Sequence, residues 1–386
     1  MNIAIKTSIE DYRYFFIAVV PVLALYDCLP LINWGYLFLL FIIFAKVLKK
    51  NLIIEVNIKI LLVMVGFILS NFFIGITKYP SITSTINNTM GMFVFTVLAI
   101  FFCCPSYVEI EKLYKVCKVI GVVATIFLIY QYFSYNILDT VIMGNIPFLS
   151  YSNPGFTSIE HGRPTSFFYE PAHYIIYIAP VYAMSIIKKD YWLSVVFVIG
   201  AVLSTSTSGI VLLFVIPLII GIKNSKTFII TSGLSLIGLA VLSQLSVFTD
   251  EYLSKLGVDS LMENTRIFGT LSIFQYFSTK DLIFGIGFNR LAEWLDIYGI
   301  AYGRNYANSI VFIVFSFGII GLLLFVYLCV ILYRNIQHEY RVMWFILLFI
   351  SASDQIFFNR SLLYLLIWIY ACYKKPDDTV KISNSC

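Results

Sequence analysis

Charged residues are scarce in this 386-residue sequence, and their scarcity decides the class of protein. Only 12% of the residues are charged, whereas 60% are hydrophobic and the mean hydropathy is +0.89. A soluble domain of this length carries about twice that share of charged residues, so a soluble protein is excluded. The sequence predicts an all-α, polytopic integral membrane protein that forms one domain over residues 1–386.

Histidine and cysteine are also rare, which excludes several kinds of site. The three histidines are His161, His173 and His338, and the seven cysteines include no C-x-x-C pair. Because no metal-ligand spacing occurs, we expect no metal and no cofactor. The two longest polar segments, 135–171 and 247–306, contain no cysteine, so no disulfide can staple either one.

Long apolar runs alternate with short polar segments along the chain. A membrane-spanning helix needs about 20 mostly apolar residues, and twelve runs meet or approach that length. They are residues 14–32, 34–46, 60–76, 89–104, 117–134, 172–187, 191–204, 208–222, 227–246, 307–332, 342–357 and 361–373. The weakest candidates are the short run 34–46 and the run 342–357, which contains Asp354. We therefore predict about twelve transmembrane helices.

The distribution of basic residues predicts the orientation of these helices. With a cytoplasmic amino terminus, 18 of the 26 lysines and arginines lie on the inner side, as the positive-inside rule requires. Both termini are then cytoplasmic, and segments 135–171 and 247–306 form two large outer loops. The net charge of +5 reflects this inner excess, and it gives no reason to expect binding to nucleic acid.

Arginine is over-represented on the outer side. The inner segments contain 15 lysines and three arginines, whereas the outer segments contain three lysines and five arginines. A guanidinium group pairs bidentately with phosphate or carboxylate, whereas an ammonium group acts as a point charge. The outer arginines are therefore candidate anion ligands, although each could instead pair with an acidic loop residue. They are Arg163, Arg266, Arg290, Arg304 and Arg360.

The segment GRPTSFFYEPAH, residues 162–173, contains the densest group of candidate site residues. Arg163, Glu170 and His173 lie here next to a long apolar run. Pro171 can occupy the first position of the following helix with Glu170 at its cap, which would hold the carboxylate at the membrane surface. The preceding loop is rich in aromatic and turn-forming residues, so we expect it to fold onto the bilayer surface or into a cavity.

Further polar motifs follow in the second half of the chain. The run STSTSG, 204–209, occupies an outer turn, where its hydroxyls can satisfy backbone groups or face a substrate. The stretch FGIGFNR, 284–290, contains a Gly-x-Gly turn that can form an anion-binding nest, with Arg290 adding charge. It lacks the third glycine and the strand-to-helix setting of a dinucleotide-binding fingerprint.

Two polar groups near the last helices complete the set of candidate residues. Asn308 begins a long apolar span, and its Gly318 and Gly321 permit close helix contact. Asp354 and Arg360 lie near the last outer turn, where a structural ion pair is the default and a functional role of the buried acid is the alternative.

Four of these motifs, in order, resemble the Wzy-type O-antigen polymerase family and its relative, the O-antigen ligase. They are Arg163 followed by Glu170-Pro171, the S-x-S-x-x-G turn at 204–209, FGIGF at 284–288 after an outer-loop arginine, and an Asn-rich helix start followed by Gly-Ile-Ile-Gly at 318–321. The resemblance covers roughly residues 160 to 330. Segment 247–306 contains no histidine, which favours polymerase over ligase. No outer arginine is followed by glycine eleven residues later, so the role of each arginine stays open.

The resemblance implies a GT-C-like membrane glycosyltransferase whose active site faces the periplasm across a bacterial inner membrane. The implied substrates are donor and acceptor oligosaccharides linked to undecaprenyl pyrophosphate, and a chain-length-regulating co-polymerase is a possible partner. We assign diphosphate binding to Arg163, Arg266 and Arg290, with Arg304 secondary, since the charge of the leaving group must be held. Either Glu170 or His173 would be the general base. Glu170 is the first choice because partial burial strengthens a carboxylate as a base.

Two other functions remain compatible with the sequence. One is the O-antigen ligase reaction. The other is transport, either by a lipid-linked oligosaccharide flippase or by an anion permease. Alternating access predicts charged residues near the bilayer midplane and related halves of the chain, whereas the sequence places its charges in outer loops and shows no repeat. A purely structural membrane scaffold would leave the five outer arginines unexplained.

Overall fold

The computed structural model describes residues 9–29, 32–48, 57–79, 81–103, 107–149, 163–221, 272–297 and 307–374, together with the single positions 229, 233 and 299. These residues form thirteen α-helices: α1 Ile9–Leu23, α2 Trp34–Leu48, α3 Ile58–Lys78, α4 Ile82–Phe102, α5 Ile110–Leu138, α6 Pro171–Ile187, α7 Tyr191–Leu203, α8 Thr207–Gly221, α9 Thr279–Phe284, α10 Leu291–Ile297, α11 Ser309–Asn335, α12 Val342–Ser353 and α13 Arg360–Ala371. Short 3₁₀ turns occupy Ser272–Tyr276 and His338–Tyr340.

Four of the helices are long and apolar enough to cross a membrane: α3, α4, α5 and α11. Their most apolar windows have mean hydropathies between 1.6 and 2.8, and large hydrophobic side chains cover much of their outer surfaces. Exposing apolar surfaces of this size to water is unfavourable, whereas contact with lipid is not. The described part of the chain is therefore mostly helical, with four helices that could span a membrane. The total of twelve spans stays a prediction, and the predicted span 227–246 lies outside the described ranges.

Local sequence signals set the helix ends of the α3–α4 hairpin. The side chain of Asn57 accepts a hydrogen bond from the Lys59 backbone N–H at the start of α3. Ser81 caps α4 in the same way. These polar caps satisfy backbone donors that a helix leaves unpaired in its first turn.

Several of the lysines that are predicted to be cytoplasmic lie near the amino-terminal end of α5. Lys112 pairs with Glu109 at 2.9 Å, and Lys118 lies 3.7 Å from Asp190. Lys188, just after α6, forms an ion pair with Glu111. Helices α5 and α6 are therefore antiparallel, and the start of α5 is level with the end of α6.

Aromatic side chains pack the interior between α3, α11 and the loop that follows α12. Phe67 contacts Phe317 and Phe357 edge-to-face, with ring centroids 5.0 and 5.1 Å away. Such geometries are preferred by aromatic rings. The contacts fix the α12–α13 loop against the middle of α3.

Two predicted spans end earlier than expected. The run 14–32 is helical only to Leu23, after which Asp27–Leu29 pairs antiparallel with Ile32–Asn33 in a small hairpin. The run 342–357 is helical only to Ser353. Hydropathy marks both runs as apolar, but it does not distinguish a helix from a tightly packed apolar loop.

Candidate functional site

The start of α6 confirms the prediction made from the Glu-Pro pair. Pro171 is the first residue of the helix and Glu170 is its N-cap, with φ −138° and ψ 157°. The backbone carbonyl of Glu170 accepts from the His173 N–H at 3.0 Å. The Glu170 carboxylate makes no capping hydrogen bond.

Arg163 binds the turn between α7 and α8. Its Nε donates to Thr205 Oγ1 at 3.0 Å, and its Nη2 donates to the Thr205 carbonyl at 2.8 Å. Thr205 has a φ of +52°, a conformation that costs energy in a β-branched residue. The guanidinium fork thus supports a strained turn and ties the segment before α6 to the start of α8.

The serines around Thr205 satisfy one another and the backbone. Ser204 Oγ donates to the Ala201 carbonyl at 2.7 Å and accepts from the Ser206 N–H. Ser206 and Ser208 share a hydrogen bond of 3.0 Å. These contacts favour the prediction that the hydroxyls of the STSTSG run satisfy backbone groups over the alternative that they face a substrate.

Ser166 anchors the segment before α6 against the middle of α5. Its backbone N–H donates to Gln131 Oε1 and its Oγ donates to the Ala124 carbonyl, both at 2.7 Å. Ser166 is fully buried, and Phe168 is 1% exposed. The prediction that this loop folds down into a cavity or onto a surface is thus refined: it descends into the helix bundle.

Helix lengths give the depth of this segment. At about 1.5 Å per residue, α6 rises about 25 Å whereas α5 rises about 43 Å. Their inner ends are level, and Tyr174 near the top of α6 shares a 2.8 Å hydrogen bond with Thr125 in the middle of α5. Since Gln131 is seven residues before the end of α5, the segment bearing Arg163 and Glu170 lies about 10 Å below that end. The segment before α6 is therefore recessed below the outer end of α5.

His173 lies one helical turn from Glu170. Its Nδ1 is buried, and its ring lies 6.1 Å from the ring of Tyr169. Glu170 and His173 are both half-buried. The two candidate bases therefore share the same recessed helix end.

The α12–α13 loop and the start of α11 form a second polar group. Asn308 caps α11 by accepting from the Val311 N–H at 2.9 Å. Ser309 donates from both its N–H and its Oγ to the Asp354 carbonyl, at 3.0 and 2.7 Å. One Asp354 carboxylate oxygen accepts from the Gln355 N–H at 2.7 Å. These bonds assign Asn308 a structural role and place Asp354 in a buried turn.

Arg360 begins α13 and contacts the end of α1. Its Nη1 donates to the Ala24 carbonyl at 3.3 Å. Asn359 caps α13 by accepting from the Ser361 N–H at 2.8 Å. Since α12 and α13 each contain 12 residues, their joining loop is also recessed.

The Gly-x-Gly turn is not an anion-binding nest, and that hypothesis is wrong. The N–H groups of Gly285, Ile286, Gly287 and Phe288 donate to Asp281 O, Phe315 O, Ser316 O and Asn71 Oδ1, at distances between 2.8 and 2.9 Å. A nest needs backbone donors that are free for the anion. Here all four N–H groups already donate to acceptors within the protein.

A break in α11 explains two of these bonds. Gly318 adopts φ 65° and ψ −162° inside the helix, a region that is essentially restricted to glycine. The break frees the carbonyls of Phe315 and Ser316, and the N–H groups of Ile286 and Gly287 satisfy them. A Cβ on Gly318 would lie 2.2 Å from the Ile283 carbonyl oxygen. Gly318 therefore brings α11 against the end of α9, which confirms the predicted close helix contact at this glycine.

Arg290 is buried among structural partners. It pairs with Glu293 and donates to the Ser81 carbonyl at 3.2 Å and to Thr85 Oγ1. Its guanidinium also lies 4.6 Å from the ring centroid of Tyr79. These contacts join the loop after α9 to the top of the α3–α4 hairpin. They favour a structural role for Arg290 over its predicted role in binding diphosphate.

Asp281 strengthens the same junction. Burial would raise the pKa of its carboxyl, but hydrogen bonds from Lys78 and Ser278 and the charge of Lys78 lower it overall. Lys78 also donates to the Gly285 carbonyl at 2.8 Å. The Asp281 carboxylate thus stays ionised, and its ion pair with Lys78 holds α9 against α3.

The structure separates the predicted site residues into three groups. Arg163, Glu170 and His173 surround the recessed start of α6, and Arg290 lies at the α3–α4 hairpin. The third group comprises Asn308, Asp354 and Arg360 around the recessed α12–α13 loop. Arg266 and Arg304 lie outside the described residues.

Sequence reasoning missed Gln131, which holds the first group in place. Gln131 is 1% exposed and its amide binds the carbonyls of Ile142 and Ser166. An uncharged amide in the middle of an otherwise apolar span was the available signal. Such a residue needs polar partners within the membrane.

No protein-family model matches this chain, and no curated protein matches it either.

Proposed function

We propose that this protein is a membrane glycosyltransferase that polymerises oligosaccharide repeat units linked to undecaprenyl pyrophosphate. The reaction would take place at the periplasmic side of a bacterial inner membrane and build O-antigen or a related surface polysaccharide. The observation that carries the proposal is the start of α6, where Glu170 is the N-cap residue and Ser166 anchors the preceding segment inside the helix bundle. Arg163 and His173 belong to the same recessed group. The ordered resemblance to Wzy-type polymerases supports the same reaction.

The chemistry requires a base, an anion-binding group and a defined proton path. A hydroxyl oxygen of the acceptor sugar attacks the anomeric carbon of the donor glycan, and the bond from that carbon to the pyrophosphate oxygen breaks. The hydroxyl proton passes to Glu170, and the bonding electron pair leaves with the pyrophosphate. A single in-line displacement inverts the anomeric centre. Positive groups at the leaving oxygen lower the barrier without a metal.

Arg163 is the described arginine best placed to hold the leaving group. It lies in the same group as Glu170, whereas Arg290 is enclosed by protein partners. Helices α6 and α8 also begin in this region, and helix amino termini favour anions. Arg266 and Arg304 remain proposed contributors, and Arg290 is proposed to act mainly by positioning its loop.

Arg163→Lys is expected to remove most polymer while leaving the protein in the membrane. Lysine cannot donate to the Oγ1 and the carbonyl of Thr205 from one planar group, and it lacks the second guanidinium edge that can face a phosphate. The measurement is the glycan ladder on gels, alongside protein level in membranes. Thr205→Gly is the matched control, because it removes the Oγ1 contact but keeps the carbonyl acceptor and relieves the positive φ. Full activity of Arg163→Lys would show that the fork is unnecessary.

Deletion of the gene tests the proposed reaction against its nearest alternatives. A polymerase predicts surface glycan capped with one repeat unit. Loss of all ligated glycan would instead indicate a ligase, and inward accumulation of lipid-linked repeats would indicate a flippase. Restoration of the ladder by the wild-type gene is the control.

A transporter is the second candidate, and one structural observation favours it. The break in α11 at Gly318 and the short α6 resemble the discontinuous helices that line transport pathways near the bilayer midplane. The placement of charged residues in the predicted outer loops therefore does not by itself exclude transport. The deletion phenotype separates the two functions.

A further inference from the structure

A cavity lies between the inner ends of three helices, at the opposite end of the bundle from the start of α6. It encloses about 400 Å³, part of which is open to the surroundings. The first turns of α3 and the last turns of α4 and α13 form its walls, which include Asn57, Leu61, Met64, Ala99, Leu366 and Tyr370. This end of the bundle is the one that the basic residues predict to be cytoplasmic.

The spacing of the wall residues puts them on one face of each helix. Leu61 and Met64 are three residues apart in α3, and Leu366 and Tyr370 are four apart in α13. Side chains at these spacings lie above one another on a helix. Ala99 contributes only a methyl group to the α4 wall, which leaves the space between the three faces unfilled.

The walls are polar at the level of the helix ends and apolar deeper in the bundle. Asn57 is the N-cap of α3, and Tyr370 is one residue from the end of α13. Met64 lies about 10 Å further in along α3. Met64 and Leu366 are each only 2% exposed. A phospholipid has the same order of polarity, with its polar end at the membrane surface and its acyl chains in the hydrocarbon core.

The cavity adjoins a surface of α3 that lipid would cover. Helix α3 is long and apolar enough to cross a membrane. Leu61 in the cavity wall is half-buried, whereas Ile58 and Leu62 beside it are 60% and 63% exposed. Lys59 is also exposed at this end of α3, and a lysine near the cytoplasmic membrane surface attracts anionic headgroups. The surroundings of the cavity thus fit a phospholipid that carries negative charge.

We propose that this cavity binds one acyl chain of an anionic phospholipid from the adjoining leaflet. The headgroup lies near Lys59, and the chain passes between Ala99, Met64 and Leu366. A chain in this place restores van der Waals contacts that an unfilled apolar space lacks, and it holds the ends of α3, α4 and α13 together. The site does not depend on the proposed glycosyltransferase function, since it lies at the other end of the bundle.

Photocrosslinking with a labelled lipid tests the site in the full chain. The protein is reconstituted in vesicles of phosphatidylethanolamine and phosphatidylglycerol, with a tracer phosphatidylglycerol that carries a diazirine in one acyl chain. Illumination attaches the tracer to the side chains that it contacts, and mass spectrometry locates them. We expect attachment at Met64 and Leu366. Val63 is the matched control, because it is also 2% exposed but is not part of the cavity wall. Attachment only at exposed side chains such as Leu62 would overturn the proposal, because the lipid would then coat α3 without entering the cavity.

Filling the cavity is expected to remove this attachment. Ala99→Phe places a ring between the three helices, so labelling of Met64 and Leu366 should be lost while labelling of Leu62 continues. Val97→Phe is the control, because Val97 is half-buried in the same helix but lies outside the cavity wall. Undiminished labelling of Met64 in Ala99→Phe would contradict the site.

Lys59→Gln tests the preference for a negatively charged headgroup. One lysine near an anionic membrane surface changes binding by about fivefold, so labelling of Met64 by the phosphatidylglycerol tracer should fall by that factor. Labelling by a phosphatidylcholine tracer should not change. Lys112→Gln is the control, because Lys112 is exposed at the same end of the bundle and pairs with Glu109. An unchanged phosphatidylglycerol signal in Lys59→Gln, or an equal fall with both tracers, would overturn the assignment of an anionic headgroup to Lys59.

Discussion

Replacement of Glu170 by glutamine is expected to leave cells with single-repeat glycan and no longer polymer, at normal protein levels. Glutamine has nearly the shape of glutamate but cannot take a proton from the acceptor hydroxyl. The loss of a general base typically slows a reaction by about 10²- to 10⁴-fold. Since the carboxylate makes no capping hydrogen bond in α6, the substitution removes no helix cap. The measurement is the glycan ladder, with membrane protein quantified in parallel.

Glu109→Gln is the matched control for this substitution. Glu109 also precedes a helix, but it lies at the opposite end of the bundle in a half-exposed pair with Lys112. Exposed pairs contribute little to stability, so a normal ladder is expected. A normal ladder from Glu170→Gln as well would remove Glu170 from catalysis and leave His173 as the candidate base.

Gly318→Ala is expected to destabilise the folded protein by about 3 kcal/mol or more. Alanine disfavours the φ of 65° and ψ of −162° at this position, and its Cβ would lie 2.2 Å from the Ile283 carbonyl oxygen. If α11 straightened instead, the loop after α9 would lose the Phe315 and Ser316 carbonyls as acceptors. Thermal unfolding of the purified protein in detergent measures the effect.

Gly91→Ala serves as the control for a glycine inside a membrane helix. A Cβ on Gly91 meets nothing within 4 Å, and alanine has the higher helix propensity by about 1 kcal/mol. An unchanged or slightly raised melting temperature is therefore expected. If Gly318→Ala were equally harmless, the break in α11 would not be needed for the fold.

The helix cap at α6 was predictable because its signal is local. Pro171 lacks the N–H that a first helical residue leaves unpaired, and a polar residue before it marks the cap. Both features are visible within three residues of sequence. The apolar character of α3, α4, α5 and α11 was predictable for a similar reason, since each contains a long, mostly apolar run.

The environment of the Gly-x-Gly turn was not predictable from the turn itself. Two of its four N–H donors bind the carbonyls of Phe315 and Ser316, which are available only because Gly318 interrupts α11. In the sequence, Gly318 lies in the apolar run FSFGIIGLLLF, which reads as continuous helix. The outcome depends on a contact between two distant segments, and local propensity carries no information about it.

The depth of the candidate site was missed for another reason. The sequence predicts that Arg163 and Glu170 lie in an outer loop, and such a loop is expected at the membrane surface. Gln131 reverses that inference because it binds Ser166 from within α5, 35 residues away in sequence. A polar residue in an apolar span requires polar partners, but the sequence does not show which residues these are.

The contacts that hold the 285–290 loop against α3 and α4 also determine when the protein can finish folding during synthesis. Asn71 in α3 accepts from the Phe288 N–H, and Asn88 in α4 donates to the Phe288 carbonyl. The ribosome adds the 217 residues that separate Asn71 from Phe288 in roughly 10 to 40 s, at about 5–20 residues per second. During that interval the α3–α4 hairpin is in the bilayer with its Phe288-binding groups unfilled. Asn71 can meanwhile hydrogen-bond to Thr89, so this early contact can keep the hairpin closed until the loop arrives.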